Sequence, residues 1–320
     1  MRILFIGYSN VLRRRILPNI HEIHNLHNVD IAKYSLQDEI TEGSNFNGEV
    51  FNSYEEALNK SKADIAYIST INSAHFMWAE KALKKGMHVI IDKPAFLSLE
   101  NALELTELAD KLNLAIAEAT VYPFHPQIIK VNEIMGKENL SAINLTINFS
   151  FPPLNSENFR YKKELGGGAL NDLGPYAVSA GRIFFKESPE KISCIITDYH
   201  LKSNVEIAFS VLAKYSNNRT MIGNFGFASE YINRLNIFGE NFYFEINRVF
   251  TPPGEIENEF LMKTSNTLKT IKTPKSFCFN NFIEKFIDSI VHGDYSEFSS
   301  DLINDARSLE LLKKSALNTN

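Results

Sequence analysis

Short apolar runs alternate with stretches of three-to-four-residue apolar spacing over the first 120 residues. "RILFIG" (residues 2–7) reads as a strand, residues 11–24 as a helix, and "VDIAKYS" (29–35) as a second strand. Ser53 and Glu56 form a capping box ahead of a short helix over 54–60. "ADIAYIST" (63–70) is a third strand, and residues 73–85 form a helix stopped by Gly86 after two lysines. "MHVIID" (87–92) is a fourth strand. Ser98 opens a helix to about residue 113, and "LAIAEAT" (114–120) is a fifth strand. Strands that alternate with helices make a parallel sheet with right-handed crossovers. Their near-continuous apolar character suits strands covered on both faces.

Beyond residue 121 the pattern changes. "LSAINLTINFSF" (140–151) alternates as a strand with one buried face. A glycine-rich turn leads into one helix over 166–185. The runs "KISCIITDY", "VEIAFSVLAKY", "RTMIGNFGF", "NRLNIFG" and "NFYFEINRVF" then follow with no helix between them. Consecutive strands of this kind form an antiparallel sheet. Two helices, 280–292 and 301–317, close the chain. The expected fold class is an α/β Rossmann domain over 1–121 and, over 122–320, an α+β domain with a large open, mainly antiparallel sheet and C-terminal helices.

Composition narrows the function classes. A chain of 320 residues exceeds what one core usually serves, so two domains are expected. Its net charge of −5 argues against a nucleic-acid partner. No apolar run approaches the roughly 18–20 residues of a bilayer span, and the first apolar run is too short for a signal-peptide core. No membrane association is therefore expected. Cys194 and Cys278 lie far apart and outside any CxxC motif, which points to a reducing, cytoplasmic setting without disulfides. His21, His24 and His27 recur every third residue, but that stretch closes a helix and enters a loop. No metal site is expected.

Gly7 ends the first strand where a dinucleotide-binding turn belongs. The motif reads "GYSNVL": Gly7 is kept, while Ser9 and Leu12 replace the second and third glycines of GxGxxG. Ser9 is small, and N–H groups at a helix start attract a pyrophosphate regardless of the glycine count. Gly7, Ser9 and Asn10 are the candidate contacts. The carboxylate that binds a ribose 2′-hydroxyl is missing at the end of the second strand. Tyr34 and Ser35 occupy that region, with Ser35 a further candidate, and Asp38 comes too late. Without that carboxylate a 2′-phosphate is not repelled, and one of Arg13–Arg15 can pair with it, which tilts the cofactor towards NADP over NAD.

"IIDKPAF" places Asp92, Lys93 and Pro94 at the carboxyl end of a parallel strand, where open α/β sheets bind ligands. Pro94 keeps Lys93 out of the helical region, and the bond between them is a candidate cis peptide. Asp172 and Tyr176 are four residues apart after three glycines, which places them on one helix face if the helix runs through Gly174-Pro175.

"GMHVIIDKP", "ISTINSAH", "EATVYPFHPQ" and "GGGALNDLGPYA", with "NRLNIFGENFYFEINRVFTPP", resemble the Gfo/Idh/MocA family of oxidoreductases over nearly the whole chain. The family's Glu-Lys-Pro is here Asp92-Lys93-Pro94, and its Asp-x-x-x-His is Asp172 and Tyr176. At Pro123 many members carry arginine, which marks a different substrate contact. The resemblance implies a dinucleotide domain, a substrate-binding and oligomerisation domain, NAD(P), and hydride transfer on a sugar or nucleotide sugar. Reduction of a 3-keto nucleotide sugar is one such reaction.

In this reading Tyr176 is the acid/base, Lys93 its electrostatic partner, and Asp172 the group that orients substrate hydroxyls. A free phenol has a pKa of about 10, so a nearby ammonium suits both the phenolate and the developing alkoxide. The remaining candidate cofactor contacts are Ser69, Thr70, Asn72, His75, Asp92, Lys93 itself and Glu118. A homodimer or homotetramer through the open sheet is expected. Two alternatives stand beside this: a dinucleotide-binding sensor or scaffold without catalysis, and a dehydrogenase of free polyols.

Overall fold

The early apolar runs pair as β1 (Arg2–Ile6) and β2 (Asn28–Ala32) in the computed structural model, which describes residues 1–34, 46–265 and 267–318. They are followed by β3 (Val50–Phe51), α1 (Tyr54–Lys60), β4 (Ile65–Ile68), α2 (His75–Lys84), β5 (His88–Ile91), α3 (Leu99–Leu112) and β6 (Ile116–Glu118). The sheet order is β3-β2-β1-β4-β5-β6, and every neighbouring pair is parallel. Strand order reverses direction at β1, so the turn after β1 lies at the switch point where such sheets bind ligands. Ile3 to Ile6 and Ile65 to Ile68 are fully buried, as strands covered on both faces must be.

The helix expected over 11–24 is replaced by a π-helical turn (Leu12–Ile16) and a 3₁₀ segment (Leu17–Glu22). Pro18 has no N–H to continue an α-helix, and the Leu17 N–H reaches back five residues to the Leu12 carbonyl.

In the second part of the chain come α4 (Pro126–Lys137), β7 (Asn144–Ser150), α5 (Ala169–Asp172), α6 (Gly174–Phe185), β8 (Lys191–Tyr199), β9 (Glu206–Lys214), β10 (Thr220–Gly226), β11 (Ile232–Phe238), β12 (Phe242–Asn247), β13 (Asn258–Thr264) and β14 (Leu268–Thr273). Their sheet runs β14-β13-β12-β11-β7-β10-β9-β8. β7 and β10 are parallel; the other neighbours are antiparallel. Alternation sends Leu145, Ile147 and Phe149 inwards, level with Met221, Phe225, Leu235 and Ile237. Ala177, Val178, Ala180, Ile183 and Phe184 of α6 join the same core.

The sequence pattern leaves four elements unassigned, the two-residue β3 among them. In α4, Pro126 sits at the first helical position, where a missing N–H costs nothing, and His125 caps the helix. β13 carries Phe260 and Met262 into the core, but β14 is a mostly exposed edge strand with lysines and little apolar signal.

α7 (Cys278–His292) and α8 (Ser296–Asn318) complete the chain. The described chain groups into two units, Met1–Ala119 with Phe279–Ala306, and Thr120–Cys278 with Arg307–Asn320. Chain order alone puts both C-terminal helices with the second domain. Instead the Asn280 amide donates to the Asn19 carbonyl at 2.7 Å, and Glu284 accepts from the His24 N–H at 2.8 Å. Leu302 belongs to the first core, whereas Leu309, Leu312 and Ala316 belong to the second. Amphipathicity marks a buried helix face but not which core receives it.

Candidate active site

Gly7 adopts φ +107°, and its N–H donates to the Ala32 carbonyl at 3.0 Å. The Ser9 hydroxyl accepts from the Leu12 N–H at 3.1 Å and lies 2.7 Å from the Ser69 hydroxyl. Asn10 accepts from the Arg13 guanidinium at 2.7 Å, and that guanidinium also sits 5.4 Å from the centre of the Tyr8 ring. Among the described residues, the N–H groups of Tyr8, Ser9 and Asn10 find no protein acceptor. A turn with unspent donors at the switch point fits the pyrophosphate of a dinucleotide. Tyr34 is largely exposed beside the Tyr54 ring, and Ser35 lies outside the described residues.

The carboxyl ends of β4, β5 and β6 carry the next group. Lys93-Pro94 is a cis peptide. Asp92 accepts from Tyr67 at 2.8 Å and from Ser69 at 2.5 Å. His75 is buried, with Nδ1 2.9 Å from the Pro94 carbonyl and Nε2 3.2 Å from the Thr70 carbonyl. Burial pushes its pKa below the ordinary value, against the Asp92 charge and those carbonyls. A neutral imidazole has one N–H, and the shorter contact assigns it to Nδ1. Glu118 accepts from the Ala95 N–H at 2.7 Å. Asn72 is buried at the start of the turn into α2. The residues on both sides of Lys93 are thus held by side chains from the ends of β4 and β6 and from the start of α2.

Asp172 and Tyr176 belong to the second unit. The helix breaks between α5 and α6 at Leu173, where Pro175 enters the first turn. The Tyr176 N–H still reaches the Leu173 carbonyl at 3.1 Å, so the two side chains stay about one turn apart. Asp172 is buried and accepts from Arg160 Nε at 2.7 Å. Burial works to lower the Arg160 pKa, but the Asp172 carboxylate and Tyr176 outweigh it and hold the guanidinium above its ordinary value. The Tyr176 ring packs among Phe149 (5.2 Å), Phe250 (4.9 Å) and Tyr122 (6.3 Å).

Two of the three glycines serve protein packing, and Gly166 takes φ +77° to end the turn before them. A Cβ on Gly168 would meet the Glu206 carboxylate at 2.1 Å, and one on Gly167 would meet the Arg160 carbonyl at 2.6 Å. A glycine triplet read from sequence opens the backbone towards a ligand; the space belongs instead to Glu206 and to the Arg160 backbone. Burial raises the Glu206 pKa. Arg160 is invisible to sequence reasoning as a site residue, because a lone arginine twelve residues from its carboxylate carries no local signal. Tyr67 reads there only as part of a strand.

A parallel sheet with a donor-lined turn at its switch point, and an Asp-Lys-Pro at a strand end, define a nicotinamide-dependent oxidoreductase with a Rossmann domain. Residues 1–120 match the oxidoreductase family with an NAD-binding Rossmann fold, and residues 139–245 match the GFO/IDH/MocA C-terminal domain. The chain belongs to the Gfo/Idh/MocA family of oxidoreductases. It is similar to a dTDP-3,4-didehydro-2,6-dideoxy-alpha-D-glucose 3-reductase of Actinomadura kijaniata, 24% identical over 99% of this chain and 96% of that one. A D-xylose 1-dehydrogenase (NADP(+)) of Haloferax volcanii is 30% identical over 53% of this chain and 52% of its own. In fold the chain resembles the crystal structure of KijD10, a 3-ketoreductase from Actinomadura kijaniata in complex with NADP and TDP-benzene. The TM-score is 0.91, with 24% identity, 99% of this chain covered and 98% of that one. An aldose-aldose oxidoreductase from Caulobacter crescentus has a TM-score of 0.87 at 18% identity, covering 100% of this chain and 98% of that one.

Proposed function

We propose that this chain is an NADP-dependent reductase of a 3-keto nucleotide sugar. One observation carries the reading: likeness to a dTDP-sugar 3-reductase runs through 99% of the chain, whereas likeness to the xylose dehydrogenase stops at 53%. The three arginines after the nucleotide turn, with Arg13 poised at Asn10, support a phosphorylated ribose. Bound NADPH supplies the hydride. Tyr176 gives the proton to the oxygen as charge develops there, and the Lys93 ammonium stabilises that charge. Asp172, held by Arg160, orients the sugar hydroxyls.

The partner is a second copy of the chain, seated on the outer face of the eight-stranded sheet, where Leu212 and Ile222 pair in register and are about half exposed. Two buried, unbridged cysteines support work in the cytoplasm. Among the described residues, no helix is long and apolar enough to cross a membrane.

The test is oxidation of NADPH by a panel of 3-keto dTDP-, UDP- and GDP-sugars. Turnover of a free polyol with no thermal shift from any nucleotide sugar would overturn the reading. Tyr176→Phe is expected to lower kcat about 10²–10⁴-fold. If it keeps full turnover while Lys93→Ala loses it, Lys93 is the proton donor and the reductase reading stands.

A further inference from the structure

We propose that Ser69 is a positioning residue for Lys93, its hydroxyl tying the dinucleotide turn after β1 to the strand end that carries the lysine. The proposal rests on the reductase reading for what Lys93 does, and on geometry within the first unit for the rest.

Proton counting gives the network one direction. An ionised Asp92 only accepts, and it takes Tyr67 Oη–H on Oδ1 at 2.8 Å and Ser69 Oγ–H on Oδ2 at 2.5 Å. Ser69 has one proton and has spent it. At the 2.7 Å contact between the two serines, Ser9 is therefore the donor. Ser9 in turn accepts from the Leu12 N–H at 3.1 Å. The chain runs Leu12 N–H to Ser9, Ser9 to Ser69, Ser69 to Asp92, with Tyr67 closing it from the far side. The glycine that usually occupies the Ser9 position could not make it.

The route crosses the carboxyl edge of the sheet from the β1 turn through the end of β4 to the end of β5. Two further ties run beside it. The His75 Nδ1–H donates to the Pro94 carbonyl at 2.9 Å, and Glu118 holds the Ala95 N–H. Lys93 is thus flanked by Asp92 on one side and by Pro94 and Ala95 on the other, each held by its own partner. Ser69 is the one residue in this set that touches both the nucleotide turn and the Asp-Lys-Pro segment. It is almost fully buried, with a relative exposure of 2%. Deleting its hydroxyl leaves the Ser9 proton without its acceptor and Asp92 Oδ2 without its donor. Both groups then seek other partners, and Lys93 shifts with its neighbour. A displacement on the order of 1 Å in a catalytic group costs up to about 10²-fold in rate.

The experiment compares the full-length wild type with Ser69→Ala, Ser9→Gly and Tyr67→Phe. The last keeps the ring packed on Phe5 and removes only the hydroxyl. Three quantities are read: the NADPH Kd from nicotinamide fluorescence, kcat on the best keto-sugar, and the ¹³C resonance of reductively methylated Lys93, assigned with Lys93→Arg. For Ser69→Ala the expected result is a Kd within about threefold of wild type, kcat down about 10–100-fold, and a displaced Lys93 resonance with or without NADPH. Tyr67→Phe and Ser9→Gly are expected to move the same quantities the same way by less, at nearly unchanged Tm. Wild-type kcat with an unmoved resonance in Ser69→Ala would overturn the proposal. So would a fall in kcat matched by equal losses of NADPH affinity and Tm. Should the wild type reduce no keto-sugar at all, the reductase reading fails alone. The Lys93 resonance then decides, a displaced signal supporting Ser69 as the positioning residue and an unmoved one refuting it.

Discussion

Gly7→Ala tests the geometry of the nucleotide turn most directly. At φ +107° an L-residue is strained, a cost of about 1–3 kcal/mol. Its Cβ would lie 2.2 Å from the Ser69 carbonyl oxygen, 2.8 Å from the carbonyl carbon and 3.3 Å from Thr70 Cγ2. The first two atoms are backbone and cannot rotate away. Relief requires the end of β4 to move off β1, against the 2.8 Å bond from the Ser69 N–H to the Ile6 carbonyl. Overpacking of this kind costs a further ~1–3 kcal/mol, so the sum is about 2–6 kcal/mol. Gly86→Ala separates the two contributions. Gly86 also has positive φ (+80°), but nothing lies within 4 Å of where its new methyl would sit, so only the backbone cost of about 1–2 kcal/mol remains. The assay is urea unfolding followed by Trp78, the single tryptophan, whose ring meets Tyr54 edge-on at 5.1 Å within the first unit. The midpoint should fall with an unchanged slope. A Gly7→Ala loss no larger than that of Gly86→Ala would refute the rigid approach of the Ser69 carbonyl.

Three further outcomes are expected. Burial pushes the His125 imidazole down to about 4, and its Nδ1 accepts the Gln127 N–H at 3.2 Å. Between about pH 6.5 and that value the unfolded chain binds a proton that the native one refuses, so stability falls on acidification, by ~3 kcal/mol from this group. His125→Asn, which keeps a capping oxygen, should flatten the stability–pH curve over that window; an identical slope in both proteins would refute the assignment. Arg160→Gln leaves the buried Asp172 carboxylate without its cation, a loss of about 3–5 kcal/mol for a fully buried pair and nearer the lower figure here, since Arg160 is 28% exposed. Chemical denaturation followed by circular dichroism should show it, and Arg160→Gln with Asp172→Asn should recover more than half; no recovery would show that the lost pair is not the cause. Leu212→Glu with Ile222→Glu places two charges side by side on the outer sheet face, and sedimentation should show a monomer where a dimer or tetramer is expected of the wild type. An unchanged mass would place the interface elsewhere.

Periodicity, turn residues and one ordered set of motifs sufficed for the Rossmann sheet, the open second sheet and the candidates Gly7, Lys93, Asp172 and Tyr176. Local rules reach that far because buried strands and capped helices write their period into consecutive residues. Other features depended on groups far apart in the chain. β14 is an edge strand held by its partner and has almost no apolar pattern of its own. α7 reads as amphipathic, yet its bonds to Asn19 and His24, far back in the chain, reveal which unit it joins. Arg160 gains meaning from a carboxylate across the glycine-rich turn, and Gly168 from a Glu206 that arrives on β9. His75 Nδ1 meets the Pro94 carbonyl and Glu118 Oε2 the Ala95 N–H, pairings that no local pattern announces. Ser9, read as a stand-in for glycine, joins a proton-ordered chain that exists only once β1, β4 and β5 lie side by side. A hydrogen bond needs two groups within about 3 Å, and for residues 60 positions apart that distance is a property of the fold.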